Sequence, residues 1–201
     1  MNGEILAAVA LGIGLSASVG FRVFIPMLVA SVAAHFNIIP LTESFSWLGS
    51  WPAMISFGTA AVVEVLAYYI PFVDNLLDTV TTPLAVGAGT LLMTSVLPVD
   101  NELMKWIMGF VVGGGAAATM QSGSVLSRLT SSKFTAGTAN PVVSTGENVA
   151  ALGSSLTALF FPVVVAVIFI LIAILIFVKL FEWRKHKKNK QIRDVDNQID
   201  F

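Results

Sequence analysis

Arg22 and Glu64 are ionisable side chains set inside long apolar runs: "GLSASVGFRVFIPML" at residues 14–28 and "WPAMISFGTAAVVEVLAYYI" at 51–70. Hydrocarbon solvates a guanidinium or a carboxylate poorly, so such groups face a bundle interior, a water cavity or each other. Two readings of Arg22 are open. If a helix starts at Ile5, Arg22 falls about 26 Å along it at the standard rise, near the far boundary, and anchors to headgroups. Otherwise it is buried, and Glu64 is its natural partner, either as a structural pair or as a site for a solute, ion or proton. Gly14, Ser18 and Arg22 recur at steps of four and share one small, polar helix face.

Further polar groups extend the list of candidates. Asp74 and Asp78, at i and i+4, form either the wet face of an interfacial helix or a cation-attracting pair at a pore mouth. Glu147 and Asn148 follow "NPVVSTG". Ser144 with Glu147 fits a capping box; the alternative is a polar re-entrant loop, with Arg128 and Lys133 adding positive charge for an anion or a lipid phosphate. Gly109, Gly113 and Ala117 form a line of small residues suited to close helix packing within or between subunits.

Several chemistries are excluded. There is no cysteine, and His35 and His186 are isolated, so no metal-ligand cluster is expected. Neither a phosphate-binding loop nor a nucleophile elbow occurs, and no cofactor or catalytic residue is assigned.

These side chains must be positioned by membrane helices. Of 201 residues 56% are hydrophobic and only 11% charged, too few to cover a water-facing surface. An all-α, polytopic transmembrane bundle follows, occupying residues 1–181, with a charged tail at 182–201. About five segments approach the length of a crossing: Ile5 to Phe36, Pro52 to Ile70, Pro83 to Leu97, Leu103 to Met120 and Val149 to Phe181. Gly20, Arg22 and Pro26 interrupt the first, which is either one kinked helix or two short ones broken near Gly20. "PFVDNLLDTVTTP" reads as a short amphipathic helix, and "QSGSVLSRLTSSKFTAGTANPVVSTGEN" as the longest connection. Seven of the eleven basic residues lie between Lys179 and Arg193, which directs the C-terminus to the cytoplasm; as one short run directly after a membrane span, it speaks only weakly for nucleic acid as a partner. Arg22, Glu64 and Pro71 in one block, and Arg128, Glu147 and Pro162 in another, share the layout of a weak inverted repeat.

"GFRVFIP", "VEVLAYYIPFVDNLLD" and "STGEN" carry a resemblance to a group of bacterial integral membrane proteins classed as a domain of unknown function, over roughly residues 5–180. The resemblance implies a shared membrane fold and brings no activity. Members of that group often carry Glu-Asp where this chain has Glu147-Asn148. From the residues, the expected function is transport or channelling of a small solute or ion in the inner membrane, by a homo-oligomer surrounded by lipid. The alternatives are a lipid-handling flippase or enzyme and a structural assembly subunit.

Overall fold

A computed structural model describes residues 2–70, 73–135 and 138–199, apart from the side chains at 2, 74, 75, 180 and 182–199. Among the described residues the regular structure is helical: α1 (Asn2–Val19), α2 (Phe24–His35), a 3-10 segment (Glu43–Gly49), α3 (Trp51–Ala67), α4 (Val73–Val96), α5 (Glu102–Met108), a π segment (Gly109–Gly114), α6 (Gly115–Thr135), α7 (Asn140–Phe160) and α8 (Pro162–Ile199). α1 is the central element, packed against α4, α6, α7 and α8, while α2 lies against α3 and α7.

Three described helical stretches are long and apolar enough to cross a membrane: Leu76–Val96, Glu102–Thr135 and Pro162–Lys179. Counting the 3-10 segment with α3, bent by 61°, gives four rather than the expected five. The difference has local causes. The first apolar run is two short helices, Gly3–Val19 and Phe24–His35. Its break follows Gly20, where a Cβ would stand 2.7 Å from both the Ala117 carbonyl oxygen and the Gln121 amide nitrogen. The end of α1 therefore abuts α6 with no room for a side chain. α2 restarts with Pro26 in its first turn, where a missing N–H costs no helical bond.

The reading of "PFVDNLLDTVTTP" as a separate short amphipathic helix is corrected: α4, from Val73, runs without interruption through Pro83. The long polar connection is corrected too. Its residues extend α6 to Thr135 and open α7 at Asn140. Of its polar residues, which suit loops in water, Gln121, Ser124, Asn140 and Ser144 are buried among helices here. α7 buries Asn140, Ser144, Glu147, Ala151, Ser155 and Ala158, a polar stripe at steps of three and four that faces inward. The fifth apolar run divides at Phe161, and α8 continues through the basic stretch to Ile199. Ile170, Leu171, Ile174 and Leu175 of α8 stay exposed, as suits a helix in lipid.

The small-residue line at 109–117 is used within the chain. A Cβ on Gly113 would meet the Gly89 carbonyl oxygen and the Met93 Cβ, and one on Gly109 the Thr94 hydroxyl, all on α4. Ala117, fully buried, fits beside Gly89 and Gly20. Gly113→Ala should therefore destabilise the protein by about 1–3 kcal/mol, the usual cost of overpacking. Gly115 has nothing within 4 Å of a Cβ, so Gly115→Ala should instead stabilise by about 0.5–1 kcal/mol through helix propensity. Unfolding of the two purified variants in micelles checks the contrast; equal effects would contradict the close α4 contact.

Candidate functional site

Four buried charges, Arg22, Glu64, Arg128 and Glu147, gather at the α1–α2 break, while buried Lys105 pairs with Glu102 on α5. Arg22 projects from that break at 1% exposure. Its Nε donates to Asn148 Oδ1 at 2.7 Å, Nη1 to Glu147 Oε2 at 2.8 Å and to the Phe21 carbonyl at 2.9 Å, and Nη2 to the Ser144 carbonyl at 3.3 Å. Three faces of one guanidinium are thus held by α7 and by its own turn. The headgroup-anchor reading is incompatible with this burial.

The direct Arg22–Glu64 pair expected from the sequence is replaced by another arrangement. Arg22 forms its ion pair with Glu147. Glu64, buried on α3, accepts the Val23 amide on Oε1 at 2.8 Å and the Phe24 amide on Oε2 at 2.9 Å. Val23, the residue preceding α2, provides no side-chain cap, so its first amides would lack acceptors. A carboxylate at a helix N-terminus also meets the positive end of the helix dipole. The break needs an anion there, and Glu64 supplies it from another helix.

Arg128, on α6, is the second buried cation, 3% exposed. Its Nη1 donates to Asp78 Oδ1 of α4 at 2.7 Å, and its Nη2 to Glu147 Oε2. Ser124, one turn earlier, donates to Glu147 Oε1. Gln121, Ser124 and Arg128 recur at steps of three and four and share one face of α6. Glu147, 7% exposed, is therefore the hub, with both arginines and a hydroxyl on its carboxylate. The capping-box reading is overturned, because α7 begins at Asn140 and Ser144 and Glu147 stand inside it.

Tyr68 completes the cluster. The guanidinium carbons of Arg22 and Arg128 lie 3.9 and 4.0 Å from its ring centroid. Both cations lie against this one ring, which attracts each of them. Its hydroxyl is 3.3 Å from Asp78 Oδ1 and 3.1 Å from Thr81 Oγ1. The sequence reading passed over Tyr68; its spacing of four from Glu64, on the same face of α3, was the available signal.

Of the other expected residues, Ser18 donates to the Gly14 carbonyl and lies 2.7 Å from Ser154 Oγ, joining α1 to α7 near the cluster. Asp78 belongs to the cluster through Arg128, and Asn148 through Arg22. Asp74 is in α4, and its side chain lies outside the described residues.

A groove of about 450 Å³ opens between α6, α7 and α8. Its walls are largely apolar, from Phe21, Met120, Ile172 and Ile176, and its polar side chains are Ser124, Ser127 and Glu147. Glu147 is thus reached both from the buried cations and from this groove. Two buried polar atoms beside it, Arg128 Nε and Ser144 Oγ, have no hydrogen-bond partner.

No curated protein and no solved structure matches the chain. A family model does match residues 9–182, nearly the whole helical bundle and every residue of the charge cluster. The chain belongs to the family described as a domain of unknown function, DUF4126.

Proposed function

We propose that this protein is a small membrane transporter whose solute site is the junction of the groove with the Arg22–Glu147–Arg128 cluster. The observation that carries this reading is the double placement of Glu147. A buried ion pair is weak at stabilising and often replaceable by apolar residues, so stability alone gives little reason to keep one. Here the carboxylate holding two guanidinium groups also lines a 450 Å³ groove. The helix break beside it supplies irregular backbone next to that site, the arrangement common where broken helices meet a transported solute. In this proposal the basic stretch after Lys179 keeps the C-terminus in the cytoplasm of a cell-membrane protein.

A transporter exposes its site alternately to the two sides. The chain has no cysteine, so a single introduced thiol reports without background. Ser124→Cys in sealed vesicles should react with a membrane-impermeant methanethiosulfonate reagent whether the reagent is added outside or enclosed within. Reaction from one side only, or from neither, would overturn the transport reading.

A further inference from the structure

We infer that the solute is a monocarboxylate with an apolar body, and that it binds by exchange: its carboxylate takes the place of the Glu147 carboxylate on Arg22 and Arg128 while Glu147 takes up one proton. This inference rests on the transport reading and names its substrate class and its coupling.

The first support is the shape of what the arginines already hold. Both Nη donors converge on a single oxygen, Glu147 Oε2. Charge-assisted hydrogen bonds of this kind are the strong ones through which guanidinium groups hold carboxylates. A position that accepts one carboxylate from α7 accepts another of the same geometry. Donor capacity remains in reserve too: Arg128 Nε and the Ser144 hydroxyl are buried without partners. Such atoms cost free energy until an acceptor arrives.

The second support is the groove. With walls formed by Phe21, Met120, Ile172 and Ile176 and few polar groups, it suits one anionic end joined to an aliphatic or aromatic body. A sugar or a zwitterion would leave polar groups unpaired against those walls.

The third support is charge. The described cluster sets two guanidinium groups, Arg22 and Arg128, against three carboxylates, Glu64, Asp78 and Glu147. A further anion arriving alone would add to an existing negative excess in a medium of low dielectric. A proton on Glu147 cancels that addition, so the total charge stays as it was. The groups facing Glu147 allow this. α6 presents Arg128 and Ser124, and the break presents Arg22. Tyr68 lies behind both cations, and Asp78 and Glu64 are held by Arg128 and by backbone amides. α8 contributes only the apolar Ile172 and Ile176 to the groove, and α2 carries no ionisable side chain before His35.

The exchange balances without a co-reactant. The Glu147 carboxylate accepts a proton from water on the open side, its ion pairs to both arginines break, and the solute carboxylate forms two in their place. Release reverses each event and returns the proton on the other side.

The test is calorimetric titration of the purified full chain with benzoate, run in buffers of differing ionisation enthalpy. The expected result is uptake of one proton per benzoate bound, with affinity falling about tenfold per pH unit on the alkaline side. Glu147→Gln, neutral at every pH, should bind benzoate at least about tenfold more tightly than the parent under alkaline conditions, equivalent to about 1.4 kcal/mol. It should also show neither proton uptake nor pH dependence. Oleate presented in lipid nanodiscs forms a second arm. Proton-linked binding of oleate alone identifies a membrane-borne source of the carboxylate; binding of benzoate alone identifies an aqueous one. Either supports the exchange.

Equal binding of benzyl alcohol, binding of inorganic phosphate in preference to both acids, or undiminished proton uptake in Glu147→Gln would overturn it. Should that variant not fold, the proton count and pH slope of the parent decide alone. Carboxylate binding with one-sided labelling of Ser124→Cys removes transport and keeps the ligand class. Two-sided labelling without carboxylate binding does the reverse.

Discussion

Arg22→Ala should lower the unfolding free energy of the protein by about 3–5 kcal/mol, the range for removing one member of a buried ion pair. Four contacts are lost together: the Glu147 carboxylate, the Asn148 amide oxygen and the carbonyls of Phe21 and Ser144. The carboxylate left behind is itself buried, at 7% exposure, and loses one of its two cations. Arg22→Lys separates charge from geometry. A lysine keeps the cation but lacks the planar fork that reaches Asn148, Glu147 and Ser144 in different directions. It should recover less than half of the loss. Unfolding of purified variants in mixed micelles reads both values. An alanine variant within about 0.5 kcal/mol of the parent, the scatter of an ordinary surface substitution, would contradict the contact set.

Glu64→Leu carries the second large effect, by a different mechanism. Glu64 terminates two backbone amides, Val23 and Phe24, at the start of α2. Each buried donor left without an acceptor costs about 1–3 kcal/mol, so leucine should cost about 2–6 kcal/mol. Glutamine retains one carbonyl oxygen and can accept one amide, or share it between both, and should cost about half as much. Were Glu64 held chiefly by charge attraction to an arginine, glutamine and leucine would cost nearly the same. Hydrogen exchange at the two amides gives an independent reading: both should quicken in Glu64→Leu, and in Glu64→Gln one should stay protected.

The sequence shows that the chain is helical and membrane-like, and it also shows where the first apolar run weakens, because Gly20, Arg22 and Pro26 interrupt a pattern that is otherwise continuous. The importance of Arg22, Glu64, Glu147 and Asn148 is visible as well, from the cost of polar groups among apolar ones. Their pairing is not. Arg22 meets Glu147 across 125 residues, and nothing local favours that carboxylate over Glu64. Arg128 was obscured by its surroundings. In "QSGSVLSRLTSSKF" the serines read as loop, because the same composition that solvates a turn in water also lets helices approach closely in lipid. Tyr68 was missed since an aromatic beside an apolar run looks like packing; its role depends on two cations that arrive from distant parts of the chain.

The separation between Arg22 and its partners also bears on how the chain is made. The atoms that satisfy this arginine, on Ser144, Glu147 and Asn148, lie 122 to 126 residues later. When α1 and α2 leave the ribosome, α7 does not yet exist. Helices of 18 and 12 residues then stand with a guanidinium between them whose one local acceptor is the Phe21 carbonyl, and a buried charge without its ionic partner is costly. Seating of this arginine therefore depends on α7, and a nascent chain ending before Asn140 lacks every one of its long-range partners.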